Sequence, residues 1–522
     1  MKKTIYGFAM MALSFLYTSC DALDLAPEDF YGSGNFWKKE AEVKAFLIGM
    51  QSQLRSNYDM FYYLGEMRGG TQRTGSSSIG TSLNYDEIRL NQIDADNPGT
   101  SNFHGLYASS ILQVNHYIDQ VGKADFLTDD QKNAYLAPAH GLRALYYFML
   151  YRTFGGVPLI TEPKILSIKP AAESFYDKRA TPQETMDFIK NEILKSEELY
   201  GGAAITNTYD KSSWSKAATL TLKAEIYMWA AKVSITGFSA TGTADLQIAK
   251  SALDQLIGKF ELQGEFKDIF SPTNKKNKEI ILAIHFADGE ATNAAGRFFY
   301  QDNLFINQKF GRDGKKITTD TLNLKGRGGV FRDEYSQAFW ESFDPQDTRR
   351  DATFMEYYAD ADKKGFGCIM KKYIGSINAN NNRVFDSDIV VYRYADVLLM
   401  RAEVANGLKE ACADYVNQIR RRAYGANYAA HEFKEGSFAD NELAILHERD
   451  KEFVAEGKRW FDVIRLQDAV QKPLVFSAAA SYPATTPILS SSEAHKLLWP
   501  ININTLTLNP ELEQTPGYVK SK

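Results

Sequence analysis

The sequence predicts a mainly α-helical fold that is interrupted by an irregular middle third. Two observations lead to this prediction. Apolar residues recur every three or four positions over long segments in the first and last thirds of the chain, which is the period of a helix with one buried face. Between them, residues 260–387 lose this period, and Gly and Asn are scattered through them. The middle third is therefore expected to consist mostly of loops.

Taken in order, the helical segments are separated by short breaks. Residues 65–99 are rich in Gly, Ser and Thr and lack a helical period, which predicts a loop. Pro182 after Thr181 favours a helix start, because proline lacks the N–H that would be unpaired there. Residues 279–286 (EIILAIHF) are typical of a strand. We expect helices over residues 36–55, 103–121, 129–153, 182–199, 213–233, 245–257, 388–406, 411–423 and 441–466.

Small residues stand where two helices would touch. Gly141 and Ala144 share one predicted helix, and Ala217 and Ala224 share another. This pattern resembles tetratricopeptide repeats, in which each helix pair buries a face against the next pair. The chain shows no strict consensus of about 34 residues, the period of such repeats.

Composition limits the functional classes. The 522 residues include 60 basic and 65 acidic ones, and no long run of one sign occurs, so binding to nucleic acid is not expected. The seven histidines are scattered, and neither His-Glu-x-x-His nor Cys-x-x-Cys occurs, so we expect no metal and no cofactor. Apart from Cys20, only Cys368 and Cys412 are present, which is too few for a disulfide framework.

The first residues have the pattern of a lipoprotein signal. Lys2 and Lys3 precede an apolar run that is too short to span a membrane, and two small residues follow before Cys20. We expect residues 1–19 to be removed and Cys20 to be acylated. Tyr17 occupies the place where such signals usually carry Leu, so an ordinary secretory signal remains the alternative.

Three carboxylates near the C-terminal end are spaced for one helix face. Glu448, Glu452 and Glu456 stand four residues apart and would repel one another unless cations meet them. We predict a buried structural ion-pair network. A catalytic carboxylate pair is the alternative, but arginines and aromatic residues interleave these acids, which favours packing. The arginines that we assign to the network are Arg393, Arg420 and Arg459.

Several motifs in order resemble the SusD/RagB family of outer-membrane lipoproteins. In the second half, the resemblance rests on RYADVLLMRAEVAN (393–406), VNQIRRRA (416–423), ERDKEFVAEGKRWFDVIRL (448–466) and LWPININTLTLNPELEQTPGY (498–518). In the first half it rests on FWKKEAEVKAFLIGMQSQL (36–54) and GLRALYYFMLYRTFGGVPLI (141–160). Together these motifs span nearly the whole mature chain.

The resemblance implies a SusD-like fold with about four tetratricopeptide-like helix pairs and an irregular ligand-binding region. It also implies a division of the chain. Residues 1–19 would be the signal peptide and 20–260 the N-terminal helical region. Residues 261–522 would form the C-terminal region, in which the irregular segment 261–387 precedes the helices of 388–466 and a tail.

The same resemblance implies a function without catalysis. Members of this family are exposed on the outer membrane of Bacteroidetes, bind a glycan or sometimes a peptide, and deliver it to a SusC-like TonB-dependent barrel. Here the lipid anchor would be Cys20. Peptide import by the same system stays open. A glycoside hydrolase is a more remote alternative, because Asp333, Glu334, Asp344 and Asp347 place carboxylates beside aromatic residues.

A glycan site requires aromatic rings to stack on sugar faces and polar groups to bind hydroxyls. Two non-helical stretches supply both, residues 62–85 and the middle third. Single aromatic residues in such stretches often belong to the core instead, and Phe298, Phe299 and Phe339 are open to that interpretation. The stacking residues that we predict are Trp340, Tyr300 and Tyr85, and the polar residues are Arg68, Arg73 and Asn303.

Overall fold

The structure is a computed structural model that describes residues 36–75, 84–99, 102–164, 172–325 and 333–518. The predicted signal peptide and Cys20 lie outside the described residues. The helices are α1 (Glu40–Gly65), α2 (Asn84–Arg89), α3 (Asn102–Gly105), α4 (Leu112–Lys123), α5 (Asp129–Phe154), α6 (Pro182–Tyr200), α7 (Lys216–Lys232), α8 (Thr243–Asp254), α9 (Asp302–Phe305), α10 (Gln337–Glu341), α11 (Thr348–Thr353), α12 (Tyr394–Gly407), α13 (Ala413–Tyr424), α14 (Phe438–Glu452), α15 (Arg459–Arg465) and α16 (Ile503–Leu508).

The strands are short and form antiparallel pairs. They are β1 (Gln72–Thr74), β2 (Ile280–Ile284), β3 (Asp333–Tyr335), β4 (Phe354–Tyr357), β5 (Gly367–Met370), β6 (Ser376–Ile377), β7 (Arg383–Val384) and β8 (Ile389–Arg393). The pairs are β1 with β3, β2 with β8, β4 with β5, and β6 with β7. Strands β2 to β7 lie in the middle third that the sequence predicts to be irregular, whereas β1 precedes it and β8 follows it.

The long helices pack one on the next in a continuous series. Helix α4 contacts α5, α5 contacts α6, α6 contacts α7, and α7 contacts α8. Helix α12 then packs on α8, and both α13 and α14 pack on α12. Small residues allow close approach: a Cβ atom at Gly141 would lie 2.2 Å from the indole nitrogen of Trp214. The predicted mainly α fold built from packed helix pairs is confirmed.

Two expected helices differ from the structure. Residues 389–393 form β8 rather than the start of a helix, because alternate side chains such as Val390 and Tyr392 are buried and the strand pairs with β2. The helix expected over 441–466 is broken between α14 and α15. Ala455 and Gly457 adopt positive φ in this turn, and Gly457 packs closely against the backbone of Phe61.

The middle third leaves the helical series after α8 and returns to it at α12. Strand β2 lies in the first part of this region, and β8, directly before α12, pairs antiparallel with it. Arg393, the last residue of β8, lies opposite Ile280. Glu279 precedes Ile280, so the start of β2 and the end of β8 are joined by a buried ion pair.

Arg393 is the centre of a fully buried ion-pair network. One of its terminal nitrogens lies 2.8 Å from Glu279 Oε1, and the same nitrogen also binds Glu452. Its Nε and other terminal nitrogen lie 3.0 and 2.8 Å from the two oxygens of Glu456. The ammonium of Lys372 also binds Glu456. Glu456 reaches this centre from the turn after α14 rather than from a helix face.

The remaining acid of the predicted trio lies in the same network. Glu448 pairs with Arg420 at 2.8 Å and with Arg349 at 2.8 Å. Arg349, which the sequence did not point to, also reaches Glu452 at 3.0 Å. Arg459 differs from the prediction, because it pairs with Asp450 at 2.7 Å and donates to the carbonyl of Gly69.

The charges in this network depend on one another. Burial by itself would raise the pKa of Glu452, but the guanidinium groups of Arg422, Arg393 and Arg349 hold it below its usual value. The carboxylate is therefore ionised in the folded protein, and removal of one cation would leave buried negative charge without compensation.

A buried acid at the C-terminal end of α1, Glu66, has a raised pKa, in contrast to the lowered pKa of Glu452. Glu66 is buried and accepts hydrogen bonds from the backbone N–H of Ala455 and the hydroxyl of Tyr335, at 3.2 and 3.0 Å. Burial raises the pKa of its carboxyl from 4.5 to about 7, although these two hydrogen bonds oppose the rise.

We predict that Arg393→Met lowers the free energy of unfolding by about 3–5 kcal/mol, because it leaves buried glutamates without their cation. Urea unfolding followed by circular dichroism measures this. The control is Lys195→Met, which removes an exposed pair with Glu198 and should change stability by at most about 0.5 kcal/mol. Equal effects of the two substitutions would contradict the central role of Arg393.

We predict that Glu66→Gln stabilises the protein above pH 7 and has no effect near pH 4. Between about pH 4.5 and 7 the folded state holds a proton that the unfolded chain releases, so the free energy of unfolding falls as pH rises through this window. The substitution removes a penalty of roughly 3 kcal/mol above this window. Thermal unfolding from pH 4 to 8 measures the difference, and exposed Glu261→Gln is the control. A difference that does not vary with pH would refute it.

Candidate functional site

The two loop regions that the sequence predicts as ligand-binding are joined in the structure. Strand β1 lies in the first of them and β3 in the second, and they pair antiparallel with Gln72 opposite Tyr335, Arg73 opposite Glu334 and Thr74 opposite Asp333. Helix α10 follows β3 directly. The pairing therefore brings Arg73 into the same part of the surface as α10, which carries Trp340.

Trp340 lies in a short helix that is well defined at its start. The hydroxyl of Ser336 caps α10 by accepting the N–H of Phe339 at 3.2 Å. The backbone N–H of Ser336 in turn donates to the carbonyl of Thr71 at 2.9 Å. Phe339 is buried in the core, whereas Trp340, one position on, is half-buried. Part of its indole ring is thus open to solvent.

Trp340 belongs to a small cluster of aromatic side chains. Its ring centroid lies 5.1 Å from that of Phe366, which lies 6.0 Å from the ring of Tyr358. The guanidinium carbon of Arg350 lies 5.1 Å above the indole ring. We call Trp340, Phe366, Tyr358 and Arg350 the Trp340 surface. Tyr358 and Trp340 are half-buried, so each presents part of a ring.

Arg73 ties the Trp340 surface to β3. One terminal nitrogen lies 3.0 Å from Glu334 Oε2 and 2.7 Å from the carbonyl oxygen of Phe366. Glu334 also accepts the hydroxyl of Tyr357 at 2.7 Å and the N–H of Cys368 at 3.0 Å. Burial raises the pKa of Glu334, and Arg73 opposes this rise. Arg73 therefore joins β3 to the chain segment that carries Phe366, and its predicted ligand-binding role stays a prediction.

Charged side chains border the surface in pairs. Arg350 lies 3.1 Å from Asp351, and exposed Arg312 bridges Asp351 at 2.9 Å and Glu356 at 2.7 Å. These groups offer hydrogen-bond donors and acceptors around the exposed part of the rings. Aromatic faces with polar groups at their edges suit the apolar faces and hydroxyl rims of sugars.

Tyr300 does not form part of this surface. It is 1% exposed, its ring stacks on Phe305 with 3.9 Å between centroids, and its hydroxyl donates to Asp320 at 2.6 Å. The prediction that it presents a stacking ring is wrong, because both its face and its polar tip are used within the core.

Arg68 is also internal. It is fully buried, with its guanidinium carbon 3.9 Å from the ring of Trp460 and 4.9 Å from that of Trp499, and its Nε donates to Asn91 at 2.7 Å. Burial lowers its pKa to about 10. The prediction of a ligand-binding role for Arg68 is wrong, since a ligand at the surface cannot reach a side chain held between two indole rings.

The other two predicted ligand residues lie on short helices. Asn303 is exposed on α9, whose Phe305 packs on Tyr357 at the end of β4 with 5.0 Å between centroids. This helix is therefore close to the chain segment that carries Tyr358. Tyr85 lies in α2, and its side chain lies outside what the structure describes.

The carboxylates of the hydrolase alternative are mostly held in ion pairs. Asp333 lies 3.2 Å from Arg89, Glu334 binds Arg73, and Asp347 lies 2.7 Å from Arg349. All three are buried. Asp344 is half-buried and accepts the N–H of Gln346 at 2.7 Å.

Three members of the Trp340 surface were not predicted. Tyr358 directly follows β4 and Phe366 directly precedes β5, so both lie in the loop of this hairpin, and Arg350 lies in α11. Their aromatic and cationic side chains are visible in the sequence, but nothing in their spacing relates them to α10. Only the packing of this hairpin against α10 brings them to Trp340.

A concavity of about 470 Å³ lies away from the Trp340 surface, between α4, α16 and residues 158–164. Its walls are mainly apolar, with Phe103, Ile111 and Leu512 among them. Some polar side chains at its wall are already paired: Tyr107 donates to the carbonyl of Pro158 at 2.7 Å, and Lys164 binds Asp177 at 2.8 Å. It is therefore less suited to a sugar than the Trp340 surface.

Among the described residues, His, Cys, Asp and Glu side chains do not gather in any group of three or more that could hold a metal ion. Within the same ranges, no helix combines the length and apolar character needed to cross a bilayer. Cys368 and Cys412 are both buried and are not joined in a disulfide.

Two family models match the chain. One, described as the SusD family, matches residues 357–518. The other, described as "Starch-binding associating with outer membrane", matches residues 24–229. These ranges contain the C-terminal helices and the first helices of the packed series.

Known proteins match over nearly the full length. A SusD superfamily protein of Bacteroides fragilis is 38% identical, with a TM-score of 0.84 over 93% of this chain and 100% of that one. NanU of B. fragilis is 31% identical, with a TM-score of 0.80 over 95% and 100%. A SusD-like protein, P38 of Formosa agariphila, is 24% identical over 98% and 97%. The family predicted from the motifs is confirmed, and the chain belongs to the SusD family.

Proposed function

We propose that this protein is a cell-surface lipoprotein that captures a glycan and delivers it, chemically unchanged, to a SusC-like TonB-dependent barrel in the outer membrane. The observation that carries the proposal is the Trp340 surface. It combines partly exposed rings of Trp340 and Tyr358 with paired charged groups that can bind hydroxyls. The family description of starch binding and outer-membrane association, matched by residues 24–229, supports it.

The absence of catalysis is part of the proposal. A glycoside hydrolase requires a protonated acid and a free carboxylate on either side of the scissile bond. Near Trp340, Glu334 and Asp347 are buried and bound to arginines, which supports a binding role. Incubation with candidate polysaccharides, followed by assay for new reducing ends, tests this directly: their appearance would overturn the proposal.

The nutrient class and the partner need separate tests. Isothermal titration against glycan and peptide panels distinguishes glycan capture from peptide capture by the same system. Co-purification of the tethered protein with its outer-membrane barrel tests the partnership. If the protein binds peptides but no glycan, the proposed ligand is a peptide, and the proposed barrel partner stays the same.

We predict that Trp340→Ala weakens glycan binding by at least about 1 kcal/mol, or about fivefold in Kd, because it removes the ring on which a sugar face would stack. Titration with the glycan that binds the unaltered protein measures the change.

The control for this substitution is Phe126→Ala, which removes another exposed ring in the turn between α4 and α5. It should leave the affinity unchanged. If Trp340→Ala folds normally and binds as tightly as the parent protein, the Trp340 surface is not the glycan site.

We predict that Cys20→Ala releases the protein from the membrane, because Cys20 is the residue that would carry the lipid. Fractionation of cells followed by a high-salt wash measures the membrane-bound share. The control is Cys412→Ala, a buried cysteine that should not affect anchoring. Equal retention of the Cys20 variant and the parent protein would contradict a lipid anchor at this position.

A further inference from the structure

The segment 66–73, which runs from the end of α1 into β1, contains an unusual number of buried polar atoms that no protein group satisfies. In the described part of the chain, five of its residues each have one such atom. Buried polar atoms are nearly always hydrogen-bonded in folded proteins, so such a concentration needs a physical explanation. The atoms are Glu66 Oε2, Arg68 Nη1, Thr71 Oγ1, Gln72 Oε1 and Arg73 Nε.

Two of these atoms belong to residues that line one small cavity. Glu66 and Thr71 form part of its wall, together with Arg449 of α14. One terminal nitrogen of Arg449 is likewise buried without a protein partner. The cavity has a volume of about 10 Å³. This is close to the space that a single water molecule needs.

The charged residues that line the cavity restrict the kind of molecule that it can bind. A metal cation would face the guanidinium groups of Arg449 and Arg459, and an anion would face Asp450 and Asp462. A neutral molecule of one heavy atom that both donates and accepts hydrogen bonds avoids both conflicts. We propose that this cavity binds one ordered water molecule, which bridges Glu66, Thr71 and Arg449.

This water would stabilise the backbone next to the start of α10, the helix that carries Trp340. The carbonyl of Thr71 accepts the N–H of Ser336, the residue that caps α10. Phe339 of the same helix lines the cavity. A water held on the hydroxyl of Thr71 therefore fixes the backbone on which α10 begins.

A crystal structure at high resolution tests the site. We expect one peak of electron density at about 2.7–3.2 Å from Glu66 Oε2, Thr71 Oγ1 and the free nitrogen of Arg449. The peak should persist in Thr71→Ser and disappear or shift in Thr71→Val, which has the same shape but no hydroxyl. Direct contact between these side chains, or ordered side chains without the peak, would overturn the proposal.

Hydrogen exchange gives a second test in solution. Thr71→Val should increase exchange of the Ser336 amide about tenfold, while Thr71→Ser should leave it near that of the parent protein. The matched control is Thr221→Val, a buried threonine in α7 whose hydroxyl bonds only to its own helix, at Ala217. Unchanged exchange at Ser336 in Thr71→Val would also overturn the proposal.

Discussion

The buried guanidinium of Arg393 joins parts of the chain that are far apart in sequence. It binds Glu279 before β2 and Glu452 at the end of α14, and it binds Glu456 in the turn that follows. In a medium of low dielectric constant, none of these charges is stable without the others. The chain can therefore leave the helical series after α8 and return at α12 with β2 and β8 held together at the buried end of this segment.

This constraint explains how an irregular region can hold the Trp340 surface in a fixed arrangement. The strands of the middle third are short, and short pairs have little stability of their own. Their anchorage comes from the helical frame: Arg393 closes the region at its end, and Arg459 binds the carbonyl of Gly69 next to β1. A rigid frame under loops that carry function is a common division of labour in proteins.

The sequence predicted the frame better than the surface. Helices α5 and α6 end within one residue of their predicted limits, because apolar period, capping threonines and Pro182 are all local signals. The failures occurred where distant contacts override local pattern. The spacing of Glu456 from Glu448 and Glu452 predicts that it lies on the same helix. In the structure it lies in a turn instead, where it forms ion pairs with Arg393 and Lys372.

The same distinction applies to the site. Local pattern along the chain was sufficient to predict most helical segments, the family and the presence of aromatic residues in irregular stretches. It did not reveal that Trp340 is half-exposed while Tyr300 and Arg68 are buried, which depends on the packing of the folded chain. Periodicity and capping depend on neighbours along the chain, so they can be read from it. Exposure depends on which remote residues pack against a side chain, and here those are the stacked Phe305 for Tyr300 and two indole rings for Arg68.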